Sequence, residues 1–116
     1  MANNEDFIGI FDNNVPVDLC NEFIKWFDWC SDNNFTINNM GTLNSNFKED
    51  EAVVIPSIHS LSIPEGVVRG YWDCLNFCLD TYVENYSSLK TLELSSYVFK
   101  IHKILGGQGY HVWHYE

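Results

Sequence analysis

Hydrophobic and polar positions fall into blocks whose spacing predicts most of the elements. Phe7 to Asp12 (FIGIFD) is apolar and partly β-branched, and Asn13-Asn14 follows as a turn signal, so a short strand is expected there. Pro16 can open a helix, with Asp18 and Glu22 in its early turns. Leu19, Cys20, Phe23, Ile24 and Phe27 then recur at helical spacing and predict an amphipathic helix from about Pro16 to Cys30. Ser31 to Lys48 is rich in Asn, Ser, Thr and Gly and reads as loop, with a short strand near Phe35 to Ile37. Glu49-Asp50-Glu51 reads as a solvated charge run, and Val53 to Ile55 as a brief extended segment that Pro56 limits. Val67, Val68, Tyr71, Trp72, Leu75, Cys78, Leu79, Tyr82, Val83 and Tyr86 keep an i, i+3, i+4 pattern, which predicts a second helix from about Pro64 to Tyr86. Its apolar stripe, Leu75 included, is expected to be buried against a sheet. Leu92 to Leu105 reads as one long strand, with Ser95, Tyr97, Phe99 and Ile101 on one face and Ser96, Val98, Lys100 and His102 on the other. Gly106-Gly107-Gln108-Gly109 is a turn, and Tyr110 to Glu116 a returning strand.

Composition narrows the class. The 116 residues permit one domain at most, and 46% hydrophobic content with 16% aromatics argues against disorder. Sixteen acidic residues against six basic ones give a net charge of −10. That balance, with the basic residues scattered, disfavours partners that need a basic patch, namely nucleic acid and anionic membrane surfaces. The N-terminal MANNEDF lacks the basic and apolar regions of a signal peptide, and no apolar run is long enough to span a bilayer. An intracellular, cytoplasmic protein is expected. Cys20 and Cys30 fall in the first predicted helix and Cys74 and Cys78 in the second, without CxxC spacing. They are expected to be free, buried, apolar thiols.

The chemistry-bearing segment is Gly106 to Glu116, GGQGYHVWHYE. On a strand, residues two apart share a face, so His114 and Glu116 would point the same way, beside Tyr110 and Val112. An imidazole and a carboxylate side by side are two corners of a 2-His-1-carboxylate triad, a donor set suited to Fe(II). His111, three residues from His114, would face the opposite side and serve packing or support. His102 would be structural or lie at the pocket edge, His59 exposed, Lys100 solvated, and Trp113 and Tyr115 core aromatics.

The chain resembles the N-terminal half of Fe(II)/2-oxoglutarate dioxygenases of the prolyl-4-hydroxylase-like group, a type frequent among phage and marine microbial sequences. The general likeness lies in FIGIFDNNVPVDLCNEFIKWF and VVRGYWDCLNFCLDTYVENY, where a strand leads into a helix and a second long helix follows. The specific likeness is YVFKIHKILGGQGYHVWHYE, a strand, a Gly-rich turn and a Tyr ahead of H-x-D/E. The resemblance implies iron ligation by His114 and Glu116, Fe(II) and 2-oxoglutarate as cofactor and cosubstrate, and oxidative hydroxylation of a protein or small-molecule substrate, peptidyl proline among the candidates. Most members carry Asp where Glu116 stands. The family takes its distal His and its basic 2-oxoglutarate anchor from later strands, and no residue here matches either.

The expected fold is α+β: two N-terminal helices packed on a mainly antiparallel sheet that forms the first part of a double-stranded β-helix, or jelly roll. Residues 1–116 would then be one partial domain, inactive alone, joined by a C-terminal half or self-associating through open sheet edges. If phage-encoded, it would work in the host cytoplasm. The alternative function is a non-catalytic interaction or structural module that keeps the scaffold.

Overall fold

The computed structural model describes residues 2–39, 46–56, 65–96 and 98–114. The fold is mixed α+β, with two helices and antiparallel sheets. The element order is β1 (Ala2–Glu5), β2 (Ile8–Phe11), α1 (Val17–Asp32), β3 (Ile37–Asn38), β4 (Lys48–Glu49), β5 (Glu51–Pro56), α2 (Glu65–Asn85), a 3-10 helix (Ser87–Thr91), β6 (Val98–Lys103) and β7 (Gly109–Tyr110). The chain divides into two compact units, Met1–Lys25 with Ser60–Ser96, and Trp26–His59 with Tyr97–Glu116.

In the first unit β1 pairs antiparallel with β2, Glu5 opposite Ile8. The predicted strand at Phe7 to Asp12 is therefore the second arm of a hairpin. Its first arm, ANNE, carries no apolar alternation and gives no strand signal in the sequence. The connecting Asp6 and Phe7 have φ of 51° and 67°, the double positive-φ arrangement that matches strand twist in a two-residue hairpin loop. Helix α2 packs against this hairpin. Tyr82 donates its hydroxyl to the Phe7 carbonyl at 2.6 Å, and the Phe7 and Tyr86 rings lie 5.3 Å apart. Asn14 donates Nδ2 to the Cys74 carbonyl and to Cys78 Sγ, both at 3.0 Å. Gly70 allows close helix approach, because a Cβ there would meet Leu19 Cδ1 at 3.0 Å. Phe23 meets Tyr71 edge-on at 6.0 Å.

The apolar stripe of α2 is less buried than its periodicity suggests. Val67 is buried, but Leu75 is 38% exposed and most of the stripe is half-buried. A two-stranded hairpin is too narrow to cover 21 helical residues. The cysteines also depart from expectation: all four are free, but only Cys30 is buried and Cys20 is exposed. Burial pushes the Cys30 thiol up; it does the same to Cys78, where Cys74 adds to the shift.

The second unit contains most of the buried apolar side chains, Trp26, Phe27 and Cys30 on α1 with Ala52, Val53 and Ile55 on β5. Helix α1 stops through a Schellman arrangement. Asn34 takes φ 60°, its N–H bonds the Ser31 carbonyl, and Phe35 N–H bonds the Cys30 carbonyl at 2.8 Å. The Phe35 ring stacks on Trp29 at 5.6 Å, the apolar contact that accompanies this motif. Strands β3, β5 and β6 form one antiparallel sheet in that order, and β4 pairs with β7 in a second.

Two strand expectations are corrected here. The long strand from Leu92 to Leu105 is only β6; residues 87–91 close a 3-10 turn and 92–96 are irregular. Within β6, Phe99 and Ile101 are the more buried face, as the alternation predicts. Among the described residues the returning strand is Gly109–Tyr110, and its partner is β4 rather than β6. Among the described residues, no helix is long and apolar enough to cross a membrane.

Phe27→Ala is expected to lower stability by about 3–5 kcal/mol, because Phe27 is only 4% exposed. Leu75→Ala should cost under about 1 kcal/mol, the usual effect at a site this open. Urea unfolding of both variants measures the contrast, and equal losses would contradict this account of where the core sits.

Candidate functional site

The strongest cluster of interacting polar side chains surrounds Asp50. Strand register assembles it. Asp50 lies between β4 and β5, Lys48 is two residues before it, and His102 on β6 stands opposite Ala52 on β5. Asn39 follows β3, and its N–H bonds the Asp50 carbonyl at 3.0 Å. The Asp50 side chain is 0% exposed. Its Oδ1 accepts from Asn39 Nδ2 at 2.7 Å, and its Oδ2 accepts from Lys48 Nζ at 3.0 Å and meets His102 Nδ1 at 2.6 Å. The solvated charge run expected at Glu49-Asp50-Glu51 is thus corrected: Asp50 and Glu51 are both buried. Glu51 Oε1 accepts from Ser31 Oγ at 2.5 Å and Thr36 Oγ1 at 2.7 Å, tying the last turn of α1 to β5.

Burial alone would raise the Asp50 carboxyl, but the bonds from Asn39, Lys48 and His102 and the Lys48 charge outweigh it, and the group is held below the usual carboxylate range. The Ser31 and Thr36 hydroxyls hold Glu51 below that range too. Burial pushes the Lys48 ammonium down, but Asp50 and Tyr110 more than offset this and hold it above its ordinary value. Asp50 is therefore an anion at neutral pH and can only accept. His102 must then donate from Nδ1, and in the neutral imidazole Nε2 carries the lone pair. Among the described residues no hydrogen bond reaches that Nε2, and the side chain is 27% exposed. A carboxylate-oriented imidazole of this kind can present Nε2 to a ligand.

Next to this cluster lies the segment singled out in the sequence. Gly107 and Gly109 adopt φ of 83° and 138°, which confirms the glycine turn. Tyr110 stands opposite Lys48 in the β4–β7 pair, and Lys48 Nζ lies 5.0 Å from its ring centroid. The chain then leaves the strand. His111 N–H bonds the Phe47 carbonyl, and His111 Nε2 meets Glu49 Oε1 at 2.8 Å. His114 lies beyond β7, exposed, with its ring stacked on Tyr110 at 3.6 Å and 13°. Trp113, expected in the core, is fully exposed, since no strand carries it inward. Lys100 is exposed as expected. Glu116, Tyr115 and His59 lie outside the described residues, so the shared face of His114 and Glu116 falls there too.

The structure brings together Lys48, Asp50, His102 and Tyr110, with His114 stacked on Tyr110, and keeps His111 apart on Glu49. Apart from His102 and the turn-linked Tyr110, sequence reasoning missed the Asp50 centre. Alternation gave no clear signal for it, because in the phase of Asp50 Ala52 is buried but Val54 is exposed. Among the described residues, no group of three His, Cys, Asp or Glu side chains is arranged to hold a metal. Of the two expected iron ligands only His114 lies among the described residues, so the described residues do not make up the triad. No protein-family model, no curated protein and no solved structure matches this chain.

Asp50→Ala is expected to cost about 3 kcal/mol, since it strands three donors and one buried-side charge. The folded-state values of Asp50 and Glu51 lie below their unfolded ones, so their contribution is complete above the unfolded carboxylate range. It should fade as pH falls from about 5 through the lower folded values. Chemical denaturation from pH 7 to pH 3 should show this acid loss in the wild type and a smaller one in Asp50→Ala. Parallel curves would contradict the linkage.

Proposed function

We propose that this chain is the N-terminal portion of a 2-oxoglutarate/Fe(II)-dependent dioxygenase, a hydroxylase. In this reading its antiparallel strands begin a double-stranded β-helix, and His114 and Glu116 are two of the three iron ligands. The observation that carries the reading is the seating of His114. A glycine turn brings Tyr110 back onto β4, and the imidazole four residues later stacks on that ring at 3.6 Å. This is the strand, turn, tyrosine and histidine order of the resemblance, with the histidine ring stacked on the tyrosine. Bound Fe(II) would supply the oxidative chemistry. The chain's own part is to present the imidazole and carboxylate; a further histidine and a basic group for 2-oxoglutarate would come from additional strands.

A second reading, a non-catalytic interaction module, is favoured by one observation. Trp113 is wholly exposed, with Ile104, Leu105 and Val112 also exposed in the same unit. Such residues mark contact surfaces when they adjoin.

Two measurements test the first reading. In the 116-residue chain, Mn(II) as a paramagnetic probe should broaden the His114 ring signals before those of His111 or His102, and His114→Ala should remove the site. Broadening that begins elsewhere and ignores His114→Ala would sink the ligand assignment. The isolated chain should form no succinate from 2-oxoglutarate. Supplying the additional strands, in cis or as a separate chain, should start succinate formation that His114→Ala abolishes and His111→Ala largely spares.

A further inference from the structure

The Asp50 centre and the His114 imidazole are joined by a continuous series of contacts. Asp50 is completely buried and held by donors from three separate segments, so its carboxylate has one available position. Lys48 is a long, flexible side chain that would otherwise sample many rotamers. Its ammonium is bonded at 3.0 Å to Asp50 Oδ2, which removes that freedom. The same ammonium lies 5.0 Å from the Tyr110 ring centroid, within the range of cation–π attraction. Tyr110 and Lys48 are direct cross-strand neighbours, where such side-chain pairs act. The Tyr110 ring in turn stacks nearly parallel on His114. After Tyr110 the His111 N–H still bonds the Phe47 carbonyl, and residues 111–114 are exposed and outside any strand.

We propose that Lys48, anchored on the buried Asp50 carboxylate, is a positioning residue that fixes the Tyr110 ring and, through the stack, the orientation of the His114 imidazole. Its functional meaning rests on the reading of His114 as a ligand, while the contact series itself stands without any metal. Lys48 and Asp50 acquire by this route a role that is not charge neutralisation alone. The fixed carboxylate transmits its position across two strands to a side chain 64 residues away in sequence, from Asp50 to His114.

The test is side-chain NMR of the metal-free 116-residue chain at constant pH. In the wild type, nuclear Overhauser contacts should link Lys48 Hε to the Tyr110 ring and that ring to His114. The His114 ring protons should be displaced upfield by the Tyr110 ring current. Lys48→Met keeps most of the stem and removes the charge. It should abolish the His114 displacement, leaving the amide shifts of β5 and β6 and the His111 ring signals in place. Lys48→Arg, which keeps a cation, should restore much of the displacement. An unchanged His114 ring in a folded Lys48→Met protein overturns the proposal. Should Lys48→Met not fold, the wild-type spectrum decides alone, and absence of either Overhauser contact overturns it. Iron binding plays no part in these readouts, so failure of the dioxygenase reading and failure of this one are separable.

Discussion

A carboxylate with no exposed surface is destabilising unless donors replace the water it gives up. Asp50 meets that requirement with an amide, an ammonium and an imidazole drawn from beyond β3, from β4 and from β6. The requirement acts in both directions. Only one register of β5 against β6 puts His102 beside Ala52, and a one-residue slip would turn His102 to the other face and leave the acid short of a donor. Glu51 applies the same constraint on the other side of the strand, where Ser31 and Thr36 bracket the end of α1. Two consecutive buried acids therefore fix a strand on both faces, with Trp26, Phe27, Val53 and Ile55 filling the apolar remainder.

The candidate chemistry inherits its geometry from this centre. Lys48 belongs both to the Asp50 cluster and to the β4–β7 pair that holds Tyr110. Glu49, its neighbour, points the other way and takes His111. The period of two in β4 thus separates the local histidines: His111 meets the Glu49 carboxylate, and His114 stacks on the Tyr110 ring. A short strand is enough for this sorting, because each of its two residues carries a partner.

The first unit is held differently. It has little fully buried apolar area, and polar contacts do much of the ordering there. Asn14 spans one turn of α2, and the Tyr82 hydroxyl closes on the hairpin loop. Tyrosine suits such half-open positions, since its ring packs while its hydroxyl finds a carbonyl. Exposed Phe7, Ile8 and Ile10 on the hairpin reflect the same narrow cover.

Elements governed by local interactions were legible in the sequence. Both helices lie within two residues of their expected ends, because the periodicity, Pro16 and the polar loop composition from Ser31 act within a few residues. The glycine turn at 106–109 was legible for the same reason, since positive φ at Gly107 and Gly109 is a property of the residue type. What the sequence could not decide was where side chains meet across long separations. Nothing within Glu49-Asp50-Glu51 says that two of the three acids are buried; their donors lie up to 52 residues away. Nor does the segment after Gly109 announce that it pairs with β4 for only two residues, since strand length depends on the partner. Sequence supplied His114, Tyr110 and the turn between strands. Tertiary structure alone supplied Asp50, because an acid becomes the centre of a fold only when other segments bring the hydrogen bonds that make its burial favourable.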